Sequence, residues 1–181
     1  MFNYSDVTVE SLRKDLDNTI SECKELIKDL KASSEVKLNN FNDMESMIYD
    51  LSGRVAFLGD VHPDEKIRDF GNEADSKIQN FALEIFNDSG LYEKYNAIDI
   101  LNLDEEDLSF HKDLGLDFKD AGHGLSAEKK ERLIEIEKKL IELGISFSEN
   151  IAKDKTELMF LENELKGLSQ NELQNLRKEG S

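Results

Sequence analysis

The sequence predicts an all-α fold, an antiparallel helical bundle of five or six helices with one long spine helix. Apolar residues recur three and four positions apart along most of the 181 residues, which is the spacing of amphipathic helices. The chain has one Pro, so few helices are expected to be interrupted. Its length fits about one domain of ~150 residues with a small extension.

Two helices are predicted in residues 1–60, where they would form an N-terminal helical hairpin. The first spans about residues 7–31, and Ser5 or Asp6 is expected to cap it. The second spans about residues 40–59. Gly53 lies within it and costs roughly 1 kcal/mol relative to Ala, unless a neighbour approaches closely there. Residues 61–181 form the remaining predicted region, and the two regions are expected to make one continuous helical domain.

The sequence His62-Pro63-Asp64-Glu65 predicts the start of the third helix. Pro is favoured at the first helical position, and acidic residues stabilise the positive end of the helix dipole. Apolar residues continue at helical spacing as far as Ile85. A turn at residues 87–90 ends this helix, and residues 91–98 are expected to add one or two helical turns.

An acidic loop at residues 101–106 is predicted to lead into a fourth helix that ends near His123. The apolar positions expected on this helix are Leu108, Leu114, Leu116 and Phe118. Ser126 is expected to cap the fifth helix, about residues 127–153, which would be the spine and about 40 Å long at ~1.5 Å per residue. Its predicted core face consists of Leu133, Ile136, Leu140, Leu143, Phe147 and Ile151.

The chain after Asp154 has a weaker pattern. Residues 158–161 form a short apolar run that fits a strand or a helix equally well. A short helix is predicted over residues 162–166, closed by Gly167. Ser169 and Glu172 form a capping box that predicts a last helix extending to about Lys178.

The acidic composition limits the classes of partner. The chain has 23 Lys and Arg against 40 Asp and Glu, for a net charge of −17. Such an excess repels phosphate backbones and anionic lipid surfaces, so neither nucleic acid nor membrane is expected as a partner. No run of about 18 apolar residues and no secretory signal is visible, and we expect a cytoplasmic location.

The residues themselves predict no catalytic centre and no metal site, and they leave substrate-binding residues unknown. His62, His111 and His123 are too far apart in sequence for a zinc helix, which needs two His four residues apart. His62 is expected to be a turn residue, and His123 to shape the loop before the fifth helix. Cys23 is expected to be buried as a small apolar residue. The acidic run at residues 104–107 is expected to be a solvated loop, since it lacks the Gly of a calcium loop.

An ordered series of motifs lies between about residues 61 and 176. The motifs are HPDEKIRD (62–69) with EAD (73–75), DFKDAG (117–122), LSAE (125–128), IEIEKKL (134–140), then Leu143, Phe147, Ser148 and Asn150, and ELKGLS (164–169). In order and spacing they resemble the N-terminal region of thimet oligopeptidase-like zinc metallopeptidases, a family that includes neurolysin, oligopeptidase A and peptidyl-dipeptidase. The chain departs from the family's E-L-x-G-L-P pattern at Ser169, which stands in place of Pro.

The resemblance implies the N-terminal, substrate-channel-forming helical part of a zinc-dependent oligopeptidase that hydrolyses short peptides. Residues 61–181 would be a helical wall of the channel. In such enzymes the zinc, its two-His-one-Glu ligand set and the general base lie in the C-terminal catalytic part. That part would be the partner of this chain, which lacks a His-Glu-x-x-His motif and is expected to be inactive alone.

A free-standing helical scaffold or protein-interaction module is the alternative, because long amphipathic helices without a catalytic set also fit that class. If the chain is part of an oligopeptidase, the apolar face that it presents to the missing catalytic part would be exposed on the isolated chain, or covered by self-association.

Overall fold

The computed structural model describes residues 4–154 and 156–176, and it confirms the all-α prediction. These residues form helices and turns, with no strand among them. None of these helices combines the length and the apolar character that a bilayer-spanning segment needs.

The helices follow one another with short connections. They are α1 (Val9–Ala32), α2 (Leu38–Leu51), α3 (Leu58–Val61), α4 (Glu65–Asn87), α5 (Ser89–Asn96), α6 (Glu105–Asp120), α7 (Ala127–Lys153) and α8 (Gln170–Asn175). A π-helical segment, Ser52–Ala56, links α2 to α3, and 3₁₀ turns lie at Tyr4–Asp6 and Glu162–Glu164. The predicted second helix is therefore divided by the π segment, which contains Gly53.

The start of α1 differs from the prediction. Thr8, and neither Ser5 nor Asp6, is the N-cap: its hydroxyl accepts a hydrogen bond from the Ser11 amide at 3.1 Å. The Ser11 hydroxyl accepts from the Thr8 amide at 2.9 Å. This reciprocal pair satisfies two amides that would otherwise lack partners at the helix end, which is why the helix begins at Val9.

The start of α4 is also shifted. Asp64 is the N-cap and accepts a hydrogen bond from the Lys66 amide at 2.9 Å, so α4 begins at Glu65. Pro63 therefore lies before the cap, and its prediction as the first helical residue is wrong. A carboxylate at the cap satisfies a free amide, whereas Pro only fixes the backbone angle. The capping box of Ser169 and Glu172 is confirmed at the start of α8.

Rings from three helices and one loop surround Phe118 on α6, which is 0% exposed. The rings of Phe41, Phe86, Tyr92, Tyr95 and His123 lie with their centroids 5.4–6.2 Å from the centroid of Phe118. This is the centre of the first core cluster, to which α1 contributes Cys23 and Leu30. Edge-to-face rings at such distances add about 0.5–1.5 kcal/mol per pair beyond their burial. Of the four apolar positions predicted on α6, Leu114 and Phe118 are buried, and Leu108 and Leu116 are exposed.

A second core cluster joins α1, α2, the π segment, α3 and α4. Its buried residues are Leu12, Leu16, Leu51, Val55, Ala56, Leu58, Ile67, Phe70, Ala74 and Ile78. At its edge the Arg54 guanidinium donates to the Asp15 carboxylate at 2.9 Å, which ties the π segment to α1. Both clusters combine side chains from before and after Asp60, so the first two helices pack directly on the rest of the chain.

Two glycines bring the backbones of α3 and α4 into contact. A Cβ atom on Gly71 would lie 2.3 Å from the Gly59 nitrogen, and one on Gly59 would lie 3.1 Å from the Asn72 nitrogen. Separations this small involve backbone atoms, so a methyl group would have to move one helix. Gly53, by contrast, has no atom within 4 Å of a Cβ built on it. The close approach therefore occurs at Gly59 and Gly71, and Gly53 is not part of it.

The bounds of the predicted fifth helix are confirmed, but its predicted core face is wrong. None of the residues that the structure describes on α7 is fully buried, and Phe147 is 67% exposed. Leu133, a member of the predicted face, is half-buried, as are Ile134, Ile141 and Ile145. Ile141 and Ile145 line a cavity together with residues of α4, on which this helix packs. A helix with two apolar stripes can pack either one, and here the stripe containing Phe147 faces outward. The role of α7 as the spine stays a prediction.

The Gly71→Ala variant should lower the melting temperature, with a loss of about 1–3 kcal/mol for inserting a methyl group into a closely packed site. Gly53→Ala is the control, and it should leave stability unchanged or raise it by up to about 1 kcal/mol. Thermal unfolding followed by circular dichroism compares the two. Equal melting temperatures for the variants would contradict the contact between α3 and α4.

Phe118→Ala should destabilise the protein by about 3–5 kcal/mol, because it removes the ring at the centre of the first core cluster. Phe147→Ala should change stability by no more than about 0.5 kcal/mol, because that ring is exposed. Urea unfolding of both variants measures the difference. A large loss for Phe147→Ala would mean that α7 packs with its other face inward.

Candidate functional site

The three histidines occupy separate structural positions. His62 precedes α4, and its Nδ1 accepts a hydrogen bond from the Asp64 amide at 3.0 Å, which confirms it as a turn residue. His111 on α6 stacks on Tyr95 with 4.6 Å between ring centroids. Burial lowers the pKa of the His111 imidazole. Each histidine therefore has a local structural role.

His123 shapes the loop before α7, as predicted. It lies between Gly122 and Gly124, which both have positive φ angles, of 86° and 98°. Its Nε2 donates to the Phe86 carbonyl at 2.8 Å, and its ring stacks on Tyr92 at 4.2 Å. Burial lowers the pKa of this imidazole, which favours the neutral ring. The loop is thereby attached to the end of α4.

The remaining predicted candidates also have structural roles. Cys23 is 1% exposed, and burial raises the pKa of its thiol to about 11, so it is held as a neutral, buried side chain as predicted. The acidic run at residues 104–107 is not a loop throughout: Asp104 caps α6, and the next three acids form the first helical turn. Carboxylates are favoured there by the helix dipole. Within residues 4–154 and 156–176, no three His, Cys, Asp or Glu side chains lie together as a metal site would require.

The α7 outer stripe is a row of large apolar side chains that belong to neither core cluster. We give this name to Ile136, Leu140, Leu143, Phe147 and Ile151, which are between 42% and 67% exposed. Residues 158–161 are also exposed and form neither the strand nor the helix considered for them. A continuous row of exposed large apolar side chains is typical of a surface that another protein segment covers.

A groove lies beside this stripe, between α7 on one side and α4, α3 and the π segment on the other. We call it the α4–α7 groove, and its main cavity has a volume of about 760 Å³. Leu140, Ile141 and Ile145 on α7 form its apolar wall, and Asp60, Asn72, Asp75 and Gln79 on α3 and α4 form its polar wall. Phe57, directly before α3, adds apolar surface to the lining. A second cavity of about 540 Å³ continues it toward His62 and Ile151, and shares Asp60, Asn72 and Ser148 with the first.

The polar wall carries a negative charge that the described residues do not neutralise by an ion pair. Gln79 donates a hydrogen bond to the Asp75 carboxylate at 2.7 Å. Burial raises the pKa of Asp75, and the nearby charge of Asp60 raises it further. Of the described residues that line the main cavity, none is Lys or Arg. At the far end Arg68 donates to the carbonyls of His62 and Pro63.

Sequence reasoning missed this groove, although it leaves a trace in the sequence. Asn72, Asp75 and Gln79 follow one another at spacings of three and four, so they share one face of α4. A polar row at helical spacing beside an apolar row signals a groove or an interface. The positions of Phe57 and Asp60 could not be found in this way, because they depend on how α3 meets α4.

A further acidic pair lies between α2 and α6. Burial raises the pKa of Glu45 to about 7, and the charge of Asp117 contributes to the shift. The Glu45 Oε1 atom is buried and has no hydrogen-bond partner among the described residues. The folded protein therefore binds a proton at Glu45 more tightly than an unfolded chain does, and ionisation of this carboxyl destabilises the fold.

The comparisons place this all-helical chain beside one class of peptidase. No protein-family model matches the chain. It is 26% identical over 179 residues to a protein named "Thimet-like oligopeptidase" from Dictyostelium discoideum, an alignment that covers 95% of this chain and 26% of that protein. It is 30% identical over 120 residues to a "Probable thimet oligopeptidase" from Arabidopsis thaliana, covering 65% of this chain and 17% of that protein.

These relatives confirm the resemblance to thimet oligopeptidases that the motifs predict. The chain spans about a quarter or less of the length of the curated relatives it matches. It is thus similar to a part of such proteins.

The Glu45→Gln variant should be more stable than the parent chain at pH 8. Between the unfolded and folded pKa values the folded state holds more protons, so its stability falls as pH rises from about 4.5 to about 7. The gain from Gln should therefore be large at pH 8 and small at pH 4. Melting temperatures at both pH values measure it, with Asp43→Asn on the exposed side of α2 as control. An equal gain at the two pH values would contradict the shifted pKa.

Proposed function

We propose that this chain is the N-terminal, substrate-channel-forming helical part of a zinc-dependent oligopeptidase that hydrolyses short peptides. The observation that carries the proposal is the asymmetry of the Dictyostelium alignment, which takes in 95% of this chain and only 26% of the relative. In this proposal the catalytic centre lies in a C-terminal region of the same polypeptide, which is the principal partner of the helices described here.

The α7 outer stripe supports a partner of this kind. Its exposed side chains lie on a helix whose described side chains are half-buried at most where it packs on the rest of the domain. Burial of apolar surface contributes about 25 cal/mol per Å², so a partner covering this stripe would be held mainly by the hydrophobic effect. An exposed apolar row of this kind is a surface through which this helical part would attach to the proposed catalytic part.

The residues described here do not fit the zinc centre of such an enzyme. His62, His111 and His123 are each engaged at a different place, and no set of three ligand-type side chains converges within the described ranges. We therefore assign no step of peptide hydrolysis to this part of the chain. Its proposed contribution is to confine the substrate and to limit water around it. A cytoplasmic location is part of the proposal, in keeping with a single, buried cysteine.

A free-standing scaffold or interaction module is the second candidate. The same exposed stripe favours it, because such a stripe serves any partner with a matching apolar face. The two candidates predict different reading frames downstream of codon 181. A downstream His-Glu-x-x-His sequence in the same reading frame supports the oligopeptidase, whereas an immediate stop codon supports the scaffold.

The purified chain should not hydrolyse an internally quenched fluorogenic peptide, with or without added zinc, because it holds no metal-binding set among its described residues. The polypeptide encoded by the complete reading frame should hydrolyse it, and a chelator should abolish that activity. The readout is the initial rate of fluorescence increase. Chelator-sensitive turnover by the chain of 181 residues alone would contradict the proposal.

A further inference from the structure

The α4–α7 groove combines an apolar wall with a pair of carboxylates. Phe57, Leu140 and Ile141 supply apolar surface to its lining, and Asp60 and Asp75 supply carboxylates. Neither carboxylate forms an ion pair with any described residue, and no Lys or Arg side chain among those residues lines the main cavity. A carboxylate beside apolar surface has lost part of its hydration. A cationic side chain placed next to it would supply the charge interaction that water no longer provides.

The dimensions of the groove fit a short stretch of extended peptide. Its two cavities follow α7 from Leu140 to Ile151, a distance of about 16 Å at ~1.5 Å per residue. About five residues of extended chain cover that distance at ~3.3 Å each. The main cavity, about 760 Å³, lies within the usual range for ligand sites. The side chains of Asn72, Gln79 and Ser148 offer polar atoms for peptide groups along it.

We propose that the α4–α7 groove binds a short peptide in which an Arg or Lys side chain lies between apolar side chains, with the cation beside Asp60 and Asp75. The inference rests on the proposed function, since a wall of a peptide channel is where such peptides would meet the groove. The cation belongs at the Asp75 end, because Arg68 lies at the other end and would repel it.

A second copy of the chain fits this groove less well than a peptide does. Each copy carries a net charge of −17, so two copies repel one another at low ionic strength. An anionic lipid surface or a nucleic acid would face the same repulsion. The pKa of Asp75 is raised because its carboxylate is half-buried and the charge of Asp60 lies nearby. No Lys or Arg side chain among the described residues forms an ion pair with it.

The test is fluorescence anisotropy with the peptide Phe-Leu-Arg-Leu-Phe-amide, which carries a fluorophore on its amino terminus, and a second labelled peptide that has citrulline in place of Arg. Citrulline keeps the shape of the side chain and removes its charge. The Arg peptide should bind the chain about fivefold more tightly, which corresponds to a partly exposed ion pair of about 1 kcal/mol. The preference should shrink as salt is raised.

Variants separate the groove from the overall charge. Asp75→Asn should reduce the preference for Arg, because only Asp60 then remains beside the cation, while leaving citrulline binding unchanged. Glu93→Gln, an exposed change of equal charge on α5, should keep the preference. Circular dichroism verifies that each variant is folded. Equal binding of the two peptides, an unchanged preference in Asp75→Asn, or no binding would overturn the inference.

Sedimentation velocity tests the competing occupant. A monomer that binds the Arg peptide supports the inference. A dimer that the peptide does not dissociate, and that Leu140→Ser does dissociate, would overturn it. None of these readouts depends on hydrolysis or on the downstream reading frame, so failure of peptide binding is distinguishable from failure of the proposed function.

Discussion

The packing of α7 on α4 through a single half-buried face produces both the α7 outer stripe and the α4–α7 groove, and the proposed functions depend on these two surfaces. Ile141 and Ile145 line the groove beside α4, whereas Leu143 and Phe147 are more than half exposed and line neither cavity. Leu140 and Ile151 lie at the edge that the stripe and the groove share. The same arrangement leaves a gap between α7 and the segment from the π helix to α3, and this gap is the α4–α7 groove. If α7 were surrounded by helices, both the exposed stripe and the groove would be filled.

The close contact of α3 with α4 sets the opposite wall of that groove. Gly59 and Gly71 let two backbones approach without side chains between them, and this places Asp60 and Phe57 at the edge of the gap. Behind this wall lies the second core cluster, in which Leu58 and Phe70 are buried. A rigid wall of this kind keeps a groove open at a fixed width, because packed interiors resist small displacements.

Local signals explain which parts of the fold the sequence could predict. The bounds of α7 follow from its helical periodicity; Ser126 occupies the N-cap position as predicted, but its hydroxyl makes no capping hydrogen bond. The capping box at Ser169 involves neighbours only three residues apart. The inward face of α7 could not be predicted, because the helix has two apolar stripes and the choice depends on α4. The contact of Gly59 with Gly71 depends on tertiary structure in the same way. The position of Asp75 in the groove could not be predicted, because a single acidic residue on a helix is usually exposed to solvent.

Thiol labelling of Phe147→Cys measures whether another part of the polypeptide covers the α7 outer stripe. The native thiol of Cys23 does not interfere, because it is buried and its raised pKa keeps it unreactive. The rate of reaction would be measured in the present chain and in the polypeptide encoded by the complete reading frame. We expect fast labelling in the present chain, where the stripe is exposed. If the proposed catalytic part covers the stripe, labelling of the complete polypeptide should be strongly protected. Labelling at the same fast rate in both would contradict the assignment of the α7 outer stripe to that interface.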